Sequence, residues 1–308
     1  MMIDTDYAFS FYPDNGAVDM WCSRVAAQAE REPINGEFTD ISPVKENFGC
    51  CANTLVNRYV RFERGSGHVF WGYWQPAIKQ PAPLLINLPG YGGFINLHPQ
   101  LCDDGLNVLH ISPMGYVWPD GLRRGQKMPD GNLPVLPNTA KGLPGGYEDW
   151  LTDCMLAVRW ALSRHEVSSD RFSVYGMSQG GGASLLLASL MRDRVNCVCA
   201  DLPFLTAIPL SGLKGEAYGM LEPIYNETGH EEFWRRMGYF DTISHAHRLD
   251  MPVMLGGGGK DDVCPHKTVE MLFSRLPGTK QYTFLRDGIH THSRESMLLF
   301  RTWMRLYA

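Results

Sequence analysis

Three residues far apart in the chain could together transfer an acyl group: Ser178 within Gly176-Met177-Ser178-Gln179-Gly180, an aspartate at Asp261 or Asp262, and a histidine at His290 or His292. A serine hydroxyl is a weak nucleophile at neutral pH. It needs a base within hydrogen-bond reach, and the base needs a carboxylate to hold it in one tautomer. The pattern G-x-S-x-G makes a turn from strand to helix so sharp that side chains at the glycine positions would collide, and it leaves the serine strained and exposed. So short a pattern also arises by chance. Here RFSVYG before it reads as a strand and the apolar run over 183–191 reads as a helix, which is the setting that such a turn requires.

The acid and the base are expected at the ends of later strands, in the order Ser, acid, His. Asp261 and Asp262 follow the strand-like PVMLGG, and Asp261 is the nearer, whereas Asp262 suits a solvated neighbour or a helix cap. His290 closes RDGIH, where Gly288 permits a tight bend, while His292 falls closer to the last helix. Asp261 and His290 are favoured, with Asp262 and His292 as alternatives. The oxyanion formed on attack needs two donors. The main-chain N–H of Gln179, at the start of a helix, supplies one with help from the helix dipole. The second is expected from the loop after PLLINLPG, with Tyr91 acting through its main-chain N–H.

Other constellations carry less. The pairs His245-Ala246-His247 and His290-Thr291-His292 have no third ligand at matching spacing, so no metal is expected. The run of four glycines over 256–259 fits neither phosphate-binding pattern, which leaves it as room for the backbone near the serine, and no cofactor is expected.

These residues must be positioned by an ordinary globule: of 308 residues, 44% are hydrophobic and 20% charged, enough for a substantial core. A net charge of -5 without a basic run argues against nucleic acid as a partner. The N-terminus lacks a basic then apolar leader and no stretch is long enough to span a bilayer, so no membrane partner and a cytoplasmic location are expected. The eight cysteines, lying mostly in apolar runs, read as buried free thiols.

Along the chain, residues 1–50 read as an N-terminal appendage packing on the core, with one helix over 18–30, and 51–308 as the catalytic domain. Two strands joined at Gly65-Ser66-Gly67 open that domain, and from PLLINL onward strands alternate with helices to the end. Such alternation implies an α/β fold with a mostly parallel central sheet flanked by helices on both faces. A Gly- and Pro-rich loop over 113–146 and a helical excursion over 204–250 are expected to shape the site. Their aromatics, among them Tyr116, Trp118, Tyr147, Phe204 and Trp234, could stack on a sugar or serve as core in equal measure.

Taken together, SVYGMSQGGG, the YFD segment ending at Asp241, Asp261-Asp262-Val263-Cys264-Pro265 and the spacing from Lys280 to His290 resemble the acetyl xylan esterase and cephalosporin C deacetylase group, carbohydrate esterase family 7. The resemblance implies an α/β-hydrolase fold, a serine esterase removing short acyl groups, acetyl above all, from sugars or similar alcohols, and commonly a hexamer. Its D-x-V-x-P pattern puts the acid at Asp261, and Tyr91 in PGYGG falls where the family has an oxyanion donor. The chain departs from the family at Pro89, where a histidine is usual, and at Thr291, where a glutamate is usual; its Arg124-Gly125-Gln126 stands about ten residues past its strand rather than directly on it. A peptidase or an acyltransferase on the same triad is the rival activity, and an inactive binding protein of the same fold is the rival of another class.

Overall fold

The structure is a computed structural model that describes residues 3–41, 57–119 and 133–308. The proposed domain boundary near residue 51 and the triplet Arg124-Gly125-Gln126 lie outside the described residues.

One nine-stranded sheet organises the chain. Its strands are β1 (Gly36–Phe38), β2 (Arg58–Glu63), β3 (Val69–Gln75), β4 (Ala82–Leu88), β5 (Asn107–Ser112), β6 (Val167–Met177), β7 (Val195–Asp201), β8 (Val253–Gly258) and β9 (Lys280–Leu285), in the spatial order β1-β2-β3-β5-β4-β6-β7-β8-β9. The first three strands and the β3–β5 pair are antiparallel, and every pair from β5 to β9 is parallel. The expected hairpin is there: Arg64 and His68 close it, with Gly67 at φ 82°.

The central strands are buried on both faces, as their unbroken apolar runs require. Alternation of side chains then splits the core in two. Leu84, Ile86 and Leu88 of β4 point into the larger cluster, while Leu85 points into the other. The larger cluster is covered by α2 (Asn15–Arg31), α5 (Tyr147–Leu162), α6 (Gln179–Leu190) and α10 (His266–Arg275). The smaller is covered by α3 (Pro99–Asp103) and by Phe300, Trp303 and Met304 of α11 (Arg294–Tyr307). Helices α1 (Thr5–Phe9), α4 (Val135–Lys141), α7 (Glu216–Gly219), α8 (Leu221–Thr228) and α9 (His230–Met237) complete the fold.

Several elements differ from the sequence reading. Helix α4 lies within the segment read as loop 113–146, and Pro137 at its first turn hid a run otherwise apolar at Val135, Leu136 and Ala140. The N-terminal segment, besides packing Val18, Trp21, Cys22 and Val25 of α2 into the main core, adds the short strand β1 to the sheet, and that strand is the difference. The excursion after β7 is three helices and two 3-10 segments, and Phe233, Trp234 and Met237 of α9 are fully buried.

Asp241 ties that excursion down. Its carboxylate accepts hydrogen bonds from the backbone N–H groups of Ala207 (2.7 Å), Ile208 (2.7 Å) and Ile243 (3.0 Å) and from the hydroxyl of Tyr12 (2.8 Å), and the residue is completely buried. Removing it leaves four buried donors without an acceptor. Asp241→Ala is therefore expected to cost about 3–5 kcal/mol in urea unfolding, far more than Tyr12→Phe, which removes one of the four donors.

Candidate active site

Ser178 follows the last residue of β6 and caps α6, with φ 57° and ψ -122°, a conformation that a residue with a side chain rarely adopts. The surrounding chain holds it there. Its N–H donates to the carbonyl of Asp201 (2.9 Å), and its carbonyl accepts from Gly182 (3.1 Å) and Phe204 (2.9 Å). The glycines of the motif are required by close approach: a Cβ at Gly176 would stand 2.3 Å from the carbonyl oxygen of Gly180, and one at Gly180 would stand 2.2 Å from that of Leu88. The elbow thus presses against the exit of β4.

Asp261 and His290 meet at the carboxyl ends of β8 and β9. Asp261 Oδ2 lies 2.8 Å from His290 Nδ1, and its Oδ1 accepts from the N–H groups of Val263 (2.9 Å) and Cys264 (2.8 Å). The carboxylate is wholly buried and the imidazole is 15% exposed, so one face of the base remains open. Asp262 is exposed, and so is His292, whose ring faces His98 and Tyr175 instead. The structure therefore pairs the two favoured residues and leaves both alternatives outside the pair. An imidazole held in this way through Nδ1 can take a proton at Nε2.

Cys264 joins the pair to the elbow. Besides the N–H on Asp261, its buried thiol interacts with Ser178, and burial raises that thiol's pKa so that it stays protonated. The sequence reading gave Cys264 no role, although it stands three residues from the acid.

The proposed oxyanion donors lie where two segments converge. Gln179 opens α6, so its N–H is one of those without an intrahelical partner. Its side-chain Oε1 accepts from the Tyr147 hydroxyl (3.0 Å), which fixes the first turn. Tyr91 lies in the turn after β4, whose Leu88 and Pro89 carbonyls abut Gly180. Its hydroxyl accepts from Leu133 N–H (2.8 Å), anchoring the far end of the long loop. Of the aromatics considered for stacking, Tyr147, Phe204 and Trp234 are 0–2% exposed and belong to the core, and Tyr116 is 4% exposed.

The four-glycine run makes room, as expected. A Cβ on Gly256 would stand 2.3 Å from Asp201 Oδ1, and one on Gly258 would stand 2.6 Å from the Gly288 carbonyl that leads to His290. The histidines at 245 and 247 serve structure: His245 bonds Ser189 and the Tyr239 carbonyl, and His247 bonds Asp19. Among the described residues the six cysteines are all buried and free, and no helix is long and apolar enough to cross a membrane.

A mostly parallel sheet with a strained serine at a strand-to-helix elbow, and an Asp–His pair on the next strands but one and two, defines an α/β-hydrolase. Within that class, the family model described as acetyl xylan esterase (AXE1) matches residues 60–302, and the chain belongs to that family. An acetyl esterase of Xylanibacter ruminicola is 27% identical over 156 residues, which cover 49% of this chain and 34% of that protein; the chain thus spans about a third of the length of this curated relative. Among solved structures, acetyl xylan esterase 1 from Thermoanaerobacterium sp. is similar with a TM-score of 0.78 at 21% identity, covering 96% of this chain and 95% of that one. An acetyl xylan esterase from Paenibacillus sp. gives 0.76 at 22% identity, covering 98% and 99%. An acylaminoacyl peptidase of Pyrococcus horikoshii gives 0.59 at 17% identity, covering 77% of this chain but 39% of that one. At these identities the structural likeness speaks for the fold alone.

Proposed function

We propose that the protein is a serine esterase that removes short acyl groups, acetyl above all, from sugars or similar alcohols. Membership of the acetyl xylan esterase family is the observation that carries this reading; the Asp261–His290 pair beside the Ser178 elbow supports the chemistry. Ser178 attacks the ester carbonyl while His290 Nε2 takes its proton and Asp261 steadies the imidazolium. The main-chain N–H groups of Gln179 and Tyr91 hold the oxyanion, where preorganised donors stabilise charge as it develops. The alcohol departs with the proton from His290, and water then releases the acyl group from Ser178 by the same route.

Acyl length tests this reading. Hydrolysis of p-nitrophenyl acetate is expected to exceed that of the octanoate by about tenfold or more in kcat/KM, since a pocket that excludes extra methylenes discriminates by that order. Acetylated xylo-oligosaccharides are expected to release acetate. Preference for octanoate, or cleavage of acylated peptides in place of both esters, would overturn it.

A further inference from the structure

A second carboxylic acid stands beside the pair, and no step above uses it. Asp201 ends β7, the strand between β6, which leads to Ser178, and β8, which leads to Asp261. In register it lies opposite Met177 on one side and Gly256 on the other. Its carbonyl receives the Ser178 N–H, its side chain is all but buried at 3% exposure, and its Oδ1 lies so close over Gly256 that only a glycine fits there. The ionisable groups that bear on it are Tyr175 from β6, Cys199 from β7 itself, Asp261 from the turn after β8 and His290 from the turn after β9. His290 is the one member of this set that can become a cation.

We propose that Asp201 is a positioning residue acting through His290: once ionised, it adds a second negative charge beside the imidazolium that forms as Ser178 loses its proton, and it substitutes in part for Asp261 when that carboxylate is removed. The proposal rests on the assignment of Ser178, His290 and Asp261 made above. Burial pushes the Asp201 carboxyl up to about 7, with His290 drawing it down and Asp261 driving it up. In mild acid it is therefore protonated and adds no charge. In mild alkali it has given its proton to solvent and stabilises the imidazolium. It takes no part in the transfer between Ser178, His290 and the leaving alcohol. Removing the charge of Asp261 makes its ionisation easier, which is what allows it to substitute.

The test is kcat/KM for p-nitrophenyl acetate against pH in the wild type, Asp201→Asn, Asp261→Asn and the double variant. Asp201→Asn is expected to match the wild type near pH 5.5 and to fall about three- to tenfold below it near pH 8.5. The double variant is expected to lose about tenfold more than Asp261→Asn alone. An equal loss at every pH, with no further loss in the double variant, would overturn the proposal and leave Asp201 a packing residue. Full activity in Asp261→Asn would instead overturn the acid assignment beneath it. If the Asp201 variant does not fold, infrared difference spectra of the wild type decide: a protonated-carboxyl band lost through about pH 7, beyond the one that buried Asp241 loses near about 6, is expected, and its absence in mild acid contradicts the proposal.

Discussion

Ser178→Ala is expected to lower kcat by about 10⁴-fold or more on any ester the protein cleaves, with KM nearly unchanged. The hydroxyl is the group that becomes covalently bonded, so its loss removes the acyl-enzyme route altogether, while the residual rate reflects binding and the oxyanion donors alone. Folding should survive the change. The hydrogen bonds that fix the elbow run through the Ser178 main chain, to Asp201, Gly182 and Phe204, and alanine keeps all three. Steady-state kinetics with a matched thermal melt check this. An active and stable Ser178→Ala protein would place the nucleophile elsewhere.

The second large effect separates neighbours that look interchangeable in sequence. Asp261→Asn is expected to cost about 10²- to 10⁴-fold in kcat, because an amide can donate to His290 Nδ1 and so turn the imidazole to the tautomer that cannot accept the serine proton. Asp262→Asn should stay within about twofold, as exposed side chains away from the pair generally do. The same contrast holds for the histidines: His290→Ala should fall by about 10⁴-fold, whereas His292→Ala, whose ring packs against His98 and Tyr175, should lose less than about tenfold. A side-by-side comparison of the four purified variants reads out both contrasts. Reversal within either pair would move the assignment to the other residue.

How much of this was legible in the sequence follows from what each feature depends on. The elbow could be read because its glycines answer a local steric demand, and the core strands because burial on both faces leaves an unbroken apolar run. Helix α11 (Arg294–Tyr307) was readable as the last helix, just beyond His292. Helix α4 and strand β1 were not, since one carries a proline in its first turn and the other has three residues, and each is held by tertiary contacts rather than by its own pattern. The choice of Asp261 over Asp262 was a preference of one position in sequence. In the folded chain it becomes a difference between a buried carboxylate with three hydrogen-bond donors around it and an exposed one. Asp201 has no local mark, since its proximity to the pair exists only after β7 and β8 lie side by side, whereas Cys264 is near Asp261 in sequence but its approach to Ser178 exists only in the fold. A charged residue closing the run VNCVCAD, apolar but for Asn196, was the one available signal for Asp201.

Turnover through Ser178 requires a covalent acyl intermediate at that one residue. Acid quenching during turnover of p-nitrophenyl acetate, followed by peptide mass mapping, measures it. The predicted result is an acetyl group on Ser178, enriched in Asp261→Asn if deacylation slows more than acylation. Acetyl on another residue, or continued turnover in the Ser178→Ala protein with none found, would contradict it.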